Sequence, residues 1–446
     1  MAERIPVLVS GSWVVNPDTV DIGGFDDGTR GLLRAVIEWF EGRHPVEQFL
    51  GFARKAGLFA DCLIPAVDGP AGHRWDTARN EAVSEILGFY SPECWRIWQE
   101  AVFGVVPVWL SGNREERARL ADFLQAGGVP AAALGESTGT APQSDAAFIE
   151  EAIGGSTFTG AALGAGGRML HQAVNRAHAP GTGGRWATDS PAVRKVLGEA
   201  YLRLVAGKLF AVRASAYLRS VDRRHLLFAA VGREMAITES GRVDRLLREF
   251  SVAGDGDVAM FPGRHDVTAI LRFAESYLLH PASFDPVPAG RGPSDDSHLF
   301  QRQPAASADG VRFHNWRPSF DAFADHGNVG LFREQVEQLC SWVARHPREA
   351  TRETVTALGD LFVLVVYGHL ILEQADFDGV SRDVVDGVSG LLAGDFSARL
   401  LDIQAMPAAS PEQREWARAA VRAPAGDAER VWPRVEALVG EYSPRR

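Results

Sequence analysis

The neighbouring residues His265 and Asp266 combine two residue types that can carry out proton transfer. An imidazole changes its charge near neutral pH, so this pair is a candidate acid/base site. A structural interpretation is equally available, because a carboxylate at the start of a helix is favoured by the helix dipole. The helical pattern TAILRFAESYLL follows directly, so Asp266 is also placed to cap that helix.

Other chemical motifs are weak in this sequence. We find no H-E-x-x-H motif and no paired i, i+4 ligands among the 12 histidines, and therefore predict no metal site. No G-x-S-x-G motif and no P-loop is present. The stretch GAALGAGG (160–167) has the glycines of a dinucleotide-binding turn, but no strand precedes it and no acid follows at the right distance. We therefore predict that these glycines serve close helix packing.

Composition limits the class of protein. A length of 446 residues favours two or three domains, and 46% hydrophobic with 23% charged residues is typical of a soluble globular protein. The net charge of −11 argues against binding to nucleic acid or to an anionic membrane. We expect no membrane-spanning helix, because no apolar run is judged long enough, and the first residues lack the pattern of a signal peptide. The 3 cysteines lack metal spacing, so we expect no disulfide framework and a cytoplasmic location.

Apolar residues recur at three- and four-residue spacing through most of the chain, which predicts a mostly helical fold. The predicted N-terminal helices cover 29–42, 46–65, 77–90, 93–110 and 113–128. After a loop-rich zone, the predicted helices cover 162–179, 192–221, 223–252 in two pieces, and 266–281. A segment rich in Pro, Gly, Ser and Asp at 285–310 predicts a linker or long loop before a second helical block.

Two motifs around the loop-rich zone point to a known family. The stretch SGNREERARLADFLQAGGVPAAALGE (111–136) and the looser GESTGTAPQSD (135–145) resemble the end of the helical domain and the flavin-contacting loop of the acyl-CoA dehydrogenase superfamily. Gly135 stands where the family has Thr, and the span from Glu136 to Ser144 is three residues longer. The resemblance resumes at 162–218 and covers about 26–280.

The family has a β-domain between this loop and its C-terminal bundle. Here only about 15 residues separate Asp145 from the next predicted helix, too few for several strands. The predicted fold is therefore mostly α: an acyl-CoA dehydrogenase-like N-terminal helical domain and C-terminal four-helix bundle, with little or no β-domain and an extra helical extension. The predicted boundaries are 1–130 for the N-terminal domain, 131–160 for a β-domain remnant, 161–284 for the bundle, 285–310 for the linker and 311–446 for the extension.

The resemblance also implies where a catalytic base would lie. Counting from Asp266 places Ala274 at the family's base position and Glu275 one residue further on, which is 100° around a helix. Glu275, His265 and Asp266 are therefore the candidate catalytic residues. The alternative interpretation of Glu275 is a solvated helix acid.

The residues that would hold FAD are only partly present. By position, the family's phosphate-binding Arg and Gln correspond to Pro180 and Phe250, which cannot make charge-assisted contacts. If FAD binds, Arg176 is a possible substitute. The candidate cofactor contacts are Glu136, Ser144, Thr182 and Arg185.

These features predict an enzyme of secondary metabolism that acts on a free or carrier-bound acyl thioester, or on a related polyketide-type intermediate. Its chemistry would be flavin-independent acid/base catalysis, such as elimination, isomerisation or cyclisation. Two alternatives stay open: an FAD-dependent acyl-CoA or acyl-ACP dehydrogenase, and a non-catalytic pseudoenzyme subunit or binding protein. The resemblance implies a homo-oligomer or a heteromer with a homologous subunit.

Overall fold

The chain folds into helices joined by loops, as its helical apolar spacing predicts. The computed structural model describes residues 25–70, 72–130, 144–179, 186–220, 224–250, 267–288, 293–301, 310–346, 352–426 and 428–439. The structure is 76% helical and the described residues form no strand, which confirms a mostly α fold without a β-domain in that part of the chain. The helices are α1 (Asp27–Glu41), α2 (Phe49–Lys55), α3 (Leu58–Leu63), α4 (Thr77–Tyr90), α5 (Pro92–Leu110), α6 (Arg114–Gln125), α7 (Ser144–Ala177), α8 (Pro191–Arg219), α9 (His225–Leu247), α10 (Thr268–Leu271), α11 (Ala274–Leu278), α12 (Arg317–Asp321), α13 (Gly327–Arg345), α14 (Arg352–Asp378), α15 (Arg382–Ala405), α16 (Pro411–Ala420) and α17 (Trp432–Glu436).

Local capping explains why several helix boundaries match the prediction. The Asp76 side chain accepts a hydrogen bond from the backbone N–H of Arg79 at 3.2 Å and begins α4. Asn113 likewise accepts from the N–H of Glu115 at 3.1 Å and begins α6. Such side-chain oxygens satisfy backbone donors that the first helical turn leaves unpaired.

Three predicted helices have different bounds in the structure. The predicted helix 46–65 is broken at Gly57, whose φ of +69° is the left-handed conformation that glycine tolerates. The predicted break within 223–252 is absent: α9 is continuous from His225 to Leu247, and only a short 3-10 turn follows it. The predicted helix 266–281 consists of the short α10 and α11, and Phe273 between them is buried against the ring of Phe313.

The largest correction concerns α7. The prediction placed a loop before residue 162, as a remnant of a β-domain, but α7 begins at Ser144. Glycines at 154, 155 and 160 lower intrinsic helix propensity by about 1 kcal/mol each, so the local pattern favours a loop. Packing against other helices compensates, since helical stability in proteins comes mainly from tertiary contacts.

Contacts divide the chain into two units. Unit 1 contains the described residues within 1–168, 214–236 and 289–307. Unit 2 contains the described residues within 169–213, 237–288 and 308–446. The domain boundaries proposed from the sequence stay a prediction.

In unit 1, the glycines of the GAALGAGG stretch allow α7 to approach α4 closely. A methyl group on Gly160 would come within 2.5 Å of the Glu81 carbonyl oxygen, and one on Gly164 within 2.0 Å of the Glu85 carbonyl oxygen. Only glycine fits at such distances. This confirms that the glycines serve helix packing.

In unit 2, α14 is the central apolar helix and packs against α10, α12 and α15. Glu353–Asp378 is long and apolar enough to span a membrane, which corrects the expectation that no such run exists. However, 83% of its most apolar window is buried within the protein, as in the core helix of a soluble fold.

Candidate functional site

Five polar side chains meet in the apolar interior of unit 2. We call them the His–Glu cluster: Arg213 on α8, Tyr277 on α11, His314 in the loop before α12, and His369 and Glu373 on α14. All five are buried, with exposed fractions between 0% and 4%. Polar groups in such an interior are costly unless they are paired, so their contacts define what the cluster can do.

His369 and Glu373 share one face of α14 because they are four residues apart. The His369 Nε2 atom lies 3.4 Å from the Glu373 Oε2 atom, which is a long contact for a hydrogen bond. On the other side of the ring, His369 Nδ1 lies 2.5 Å from the Tyr277 hydroxyl. The imidazole is thus held by Tyr277 and faces the carboxylate with its remaining nitrogen.

His314 reaches the same carboxylate from a different segment. Its Nε2 atom lies 2.6 Å from Glu373 Oε2, and its ring centre lies 4.9 Å from that of His369. An isolated parallel bridge pairs its backbone with Ala282, where the Ala282 N–H donates to the Phe313 carbonyl at 2.7 Å. This short pairing of two loops fixes the direction from which His314 enters.

Arg213 holds the second oxygen of the carboxylate. Its Nε atom donates to Glu373 Oε1, and its Nη2 atom donates to the Val287 carbonyl. The guanidinium carbon also lies 4.7 Å from the centre of the Phe377 ring, a cation–π distance. Arg213 therefore occupies Oε1 and leaves Oε2 to the two imidazoles.

Burial and neighbouring charges set the protonation states of the cluster. Burial lowers the pKa of His369 to about 4, so this imidazole is neutral at neutral pH. Burial alone would raise the pKa of Glu373, but the adjacent imidazoles of His314 and His369 hold it well below its ordinary value. The cluster thus pairs a cationic Arg213 with an ionised Glu373.

This arrangement suits two kinds of chemistry. A phenol, a neutral imidazole and a carboxylate in sequence resemble the relay of an acid/base triad. Two imidazoles and one carboxylate are also a metal donor set, and ligand atoms of His314, His369 and Glu373 lie within 4.8 Å of one another.

The candidate catalytic residues from the sequence lie elsewhere or outside the described residues. Glu275 is on α11, but its side chain is 70% exposed and lies 3.7 Å from His280 Nε2. That position fits the alternative interpretation, a solvated helix acid. His265 and Asp266 lie outside the described residues.

The described residues do not fit FAD. Phe250 offers no donor where the family has Gln, and the exposed Arg176 donates from Nη1 to the Phe250 carbonyl at 2.6 Å. Glu136, Pro180, Thr182 and Arg185 lie outside the described residues. Ser144 begins α7, but its side chain is not among those described.

Comparison with known proteins places the fold. No family model and no curated protein matches the sequence. Among solved structures, the chain is similar to an acyl-CoA dehydrogenase complexed with FAD from Bacillus anthracis, with 10% identity, a TM-score of 0.53 and coverage of 97% of each chain. This confirms an acyl-CoA dehydrogenase-like fold, and at such low identity the likeness shows the fold alone. It extends beyond residues 26–280, where the sequence motifs lie.

Sequence reasoning missed the His–Glu cluster, although one local signal was present. His369 and Glu373 form an i, i+4 pair of ligand-type residues inside the long apolar run of α14. That pair corrects the statement that the histidines lack such spacing. His314 lies in VRFHNWRPSFDAF (311–323). The mixture of residue types in that stretch is compatible with either the lining of a pocket or a partly buried loop.

Proposed function

We propose that this protein is a flavin-independent enzyme that acts on an acyl thioester or a related polyketide-type intermediate, with the His–Glu cluster as its reacting centre. The observation that carries the proposal is the cluster itself, a set of proton-transfer groups in mutual contact inside an apolar helix layer. The acyl-CoA dehydrogenase-like fold supports the thioester substrate class. The three buried free cysteines fit a role in the reducing cytoplasm.

In this proposal Tyr277 and His369 exchange the proton. Tyr277 takes a proton from the carbon next to the thioester carbonyl while its own proton passes to His369 Nδ1. Glu373 Oε2, 3.4 Å from His369 Nε2, stabilises the imidazolium that forms. Return of the proton to another carbon gives an isomer, and loss of a leaving group gives an elimination product. Because the cluster is buried, a substrate reaches it only when the surrounding packing opens.

The test is deuterium exchange at the α-carbon of acyl-CoA thioesters of several chain lengths, followed by mass spectrometry in D₂O. We expect protein-dependent exchange that falls by about 100-fold in Tyr277→Phe, because general acid/base groups contribute on that scale. Tyr367→Phe is the matched control, since Tyr367 is an equally buried tyrosine of unit 2 on α14. An absence of exchange, or equal exchange in Tyr277→Phe and wild type, would overturn the proposal.

An absorption spectrum of the purified protein tests the flavin-independent part. We expect no flavin bands. Flavin at near-stoichiometric amounts would instead support an FAD-dependent acyl-CoA or acyl-ACP dehydrogenase, with cofactor contacts in segments outside the described residues.

The complete burial of the cluster supports a second candidate function, a non-catalytic subunit or binding protein. In that case the cluster fixes the packing of α8, α11 and α14, and the fold serves to bind a homologous subunit. Tyr277→Phe would then change stability without changing any exchange rate, and the protein would co-purify with a partner chain.

A further inference from the structure

We propose that the His–Glu cluster binds a divalent transition-metal ion through His314 Nε2, His369 Nε2 and Glu373 Oε2. The inference deepens the proposed function, since it adds a cofactor to the same site. The binding itself does not depend on the thioester substrate.

The first support is the convergence of the three ligand atoms. Zinc–nitrogen and zinc–oxygen bonds of about 2.0–2.2 Å place neighbouring ligand atoms about 3 Å apart. The distance from His369 Nε2 to Glu373 Oε2 is 3.4 Å, and that from His314 Nε2 to the same oxygen is 2.6 Å. The His314 contact must lengthen by less than about 1 Å to admit an ion, and one ligand atom from each of the three residues lies within 4.8 Å of the others.

The second support is that other residues hold the atoms that would not bind the ion. Tyr277 contacts His369 Nδ1, and Arg213 contacts Glu373 Oε1. In metal sites such outer partners fix the ring tautomer and orient each ligand. The same arrangement here leaves Nε2 of His369 and Oε2 of Glu373 facing one another.

The third support is independent of the ligand spacing. His369 is fully buried, and its Nε2 atom makes no hydrogen bond with good geometry to any described residue. An unsatisfied buried nitrogen of this kind is unfavourable, because it has given up its hydrogen bond to water without gaining another. A metal ion at the centre of the three ligand atoms removes that cost by taking the nitrogen lone pair.

The donor set indicates the kind of ion. Two imidazoles with one carboxylate suit Zn²⁺ or Fe²⁺ better than Mg²⁺ or Ca²⁺, which prefer oxygen ligands. Three protein ligands leave a coordination position open, where a carbonyl oxygen of the substrate can bind and be polarised. With His369 Nε2 on the ion, Nδ1 would carry a hydrogen and donate a hydrogen bond to the Tyr277 oxygen, so His369 would not accept the tyrosine proton. In the metal-bound protein Tyr277 would therefore take the substrate proton as a phenolate.

The test measures bound metal in the full-length protein by elemental analysis and by titration of EDTA-treated protein with Co²⁺, whose visible bands report nitrogen and oxygen ligation. We expect one ion per chain in wild type and none in His369→Gln. His171→Gln is the matched control, because His171 is a buried histidine of unit 2 outside the cluster, and it should bind as wild type does. Should His369→Gln fail to fold, Tyr277→Phe keeps the ligands and should bind about 10–100-fold more weakly.

Wild type that takes up no Co²⁺, or His369→Gln that binds it as wild type does, would overturn the metal inference. So would unchanged affinity in Tyr277→Phe, since that hydroxyl is the outer partner of a ligand. Wild type that takes up no metal but exchanges the thioester α-proton at the expected rate would overturn the metal inference and leave the proposed function standing. Metal binding without any thioester exchange would support the metal inference and overturn the proposed function.

Discussion

Unit 2 buries charge in two regions that differ in what they can bind. One is the His–Glu cluster, and the other we call the arginine network, which consists of Glu199 and Arg203 on α8, Glu239 and Arg242 on α9, and Asp395 on α15. Arg203 contacts all three carboxylates at 2.9–3.0 Å, and Arg242 contacts Glu239 and Asp395 at 2.6 and 2.5 Å. The network thus matches several donors to several acceptors.

The difference lies in the nitrogen chemistry. A guanidinium only donates hydrogen bonds and stays charged, and here Glu239 and Asp395 raise the pKa of Arg203 further, despite the opposing effect of burial. The network therefore has no nitrogen lone pair for a ligand. In the His–Glu cluster, two imidazoles face a single carboxylate, and the neutral His369 has a nitrogen, Nε2, that lacks a good partner among the described residues. We infer that the network is structural and that the cluster is the functional region.

The largest expected difference between the regions is in the effect of removing one carboxylate. Glu373→Leu takes away the carboxylate that contacts the fully buried Arg213, and should lower the free energy of unfolding by about 3–5 kcal/mol. Asp395→Leu leaves Arg203 with Glu199 and Glu239, and should cost about 1–2 kcal/mol. Urea unfolding of both variants, without metal, measures the two values. Equal costs would contradict the idea that the remaining carboxylates of the arginine network compensate for the one that is lost.

The sequence allowed more of the fold to be predicted than of the site. The bounds of α4 and α6 follow from local features, namely apolar spacing and the caps Asp76 and Asn113. The start of α7 does not, because its glycines disfavour a helix locally and only close contacts with residues of other helices, such as Phe103, Ala229 and Glu81, explain them. Local signals thus fail where tertiary packing overrides propensity.

The His–Glu cluster was hidden for a related reason. Arg213 and Glu373 are 160 residues apart, and each lies in an apolar helix where it resembles an ordinary polar core residue. Nothing in the sequence positions of His314 and Tyr277 indicates that both contact polar side chains of α14. Glu275, in contrast, stands one residue past the family's base position, and its side chain is 70% exposed while that of Ala274 is buried.

A second prediction sharpens the comparison by removing both charges of a pair. Arg213→Met combined with Glu373→Leu leaves no unpaired charge, so the double variant should recover about 2 kcal/mol of the stability that Glu373→Leu loses. Arg203→Met combined with Asp395→Leu should recover less, because Glu199, Glu239 and Arg242 keep their charges. Double-mutant cycles from urea unfolding give both coupling energies. A larger coupling in the network would contradict the view that the ion pair of the cluster is the more strongly coupled one.

The smallest expected difference concerns two tyrosines, one within the His–Glu cluster and one beside the arginine network. Tyr277 contacts His369 through its hydroxyl, so Tyr277→Phe removes a hydrogen bond and should cost about 1–2 kcal/mol. The hydroxyl of Tyr367 is buried near the arginine network and has no hydrogen-bond partner among the described residues. Tyr367→Phe should therefore change the free energy of unfolding by less than about 0.5 kcal/mol, or stabilise slightly, because no bond is lost and a polar group leaves the interior. Thermal and urea unfolding of the two variants, which differ from wild type by one oxygen each, measure this contrast. If Tyr367→Phe were the more damaging change, the network would contain an unrecognised hydrogen bond, and the cluster would lose its distinction as the region with positioned polar atoms.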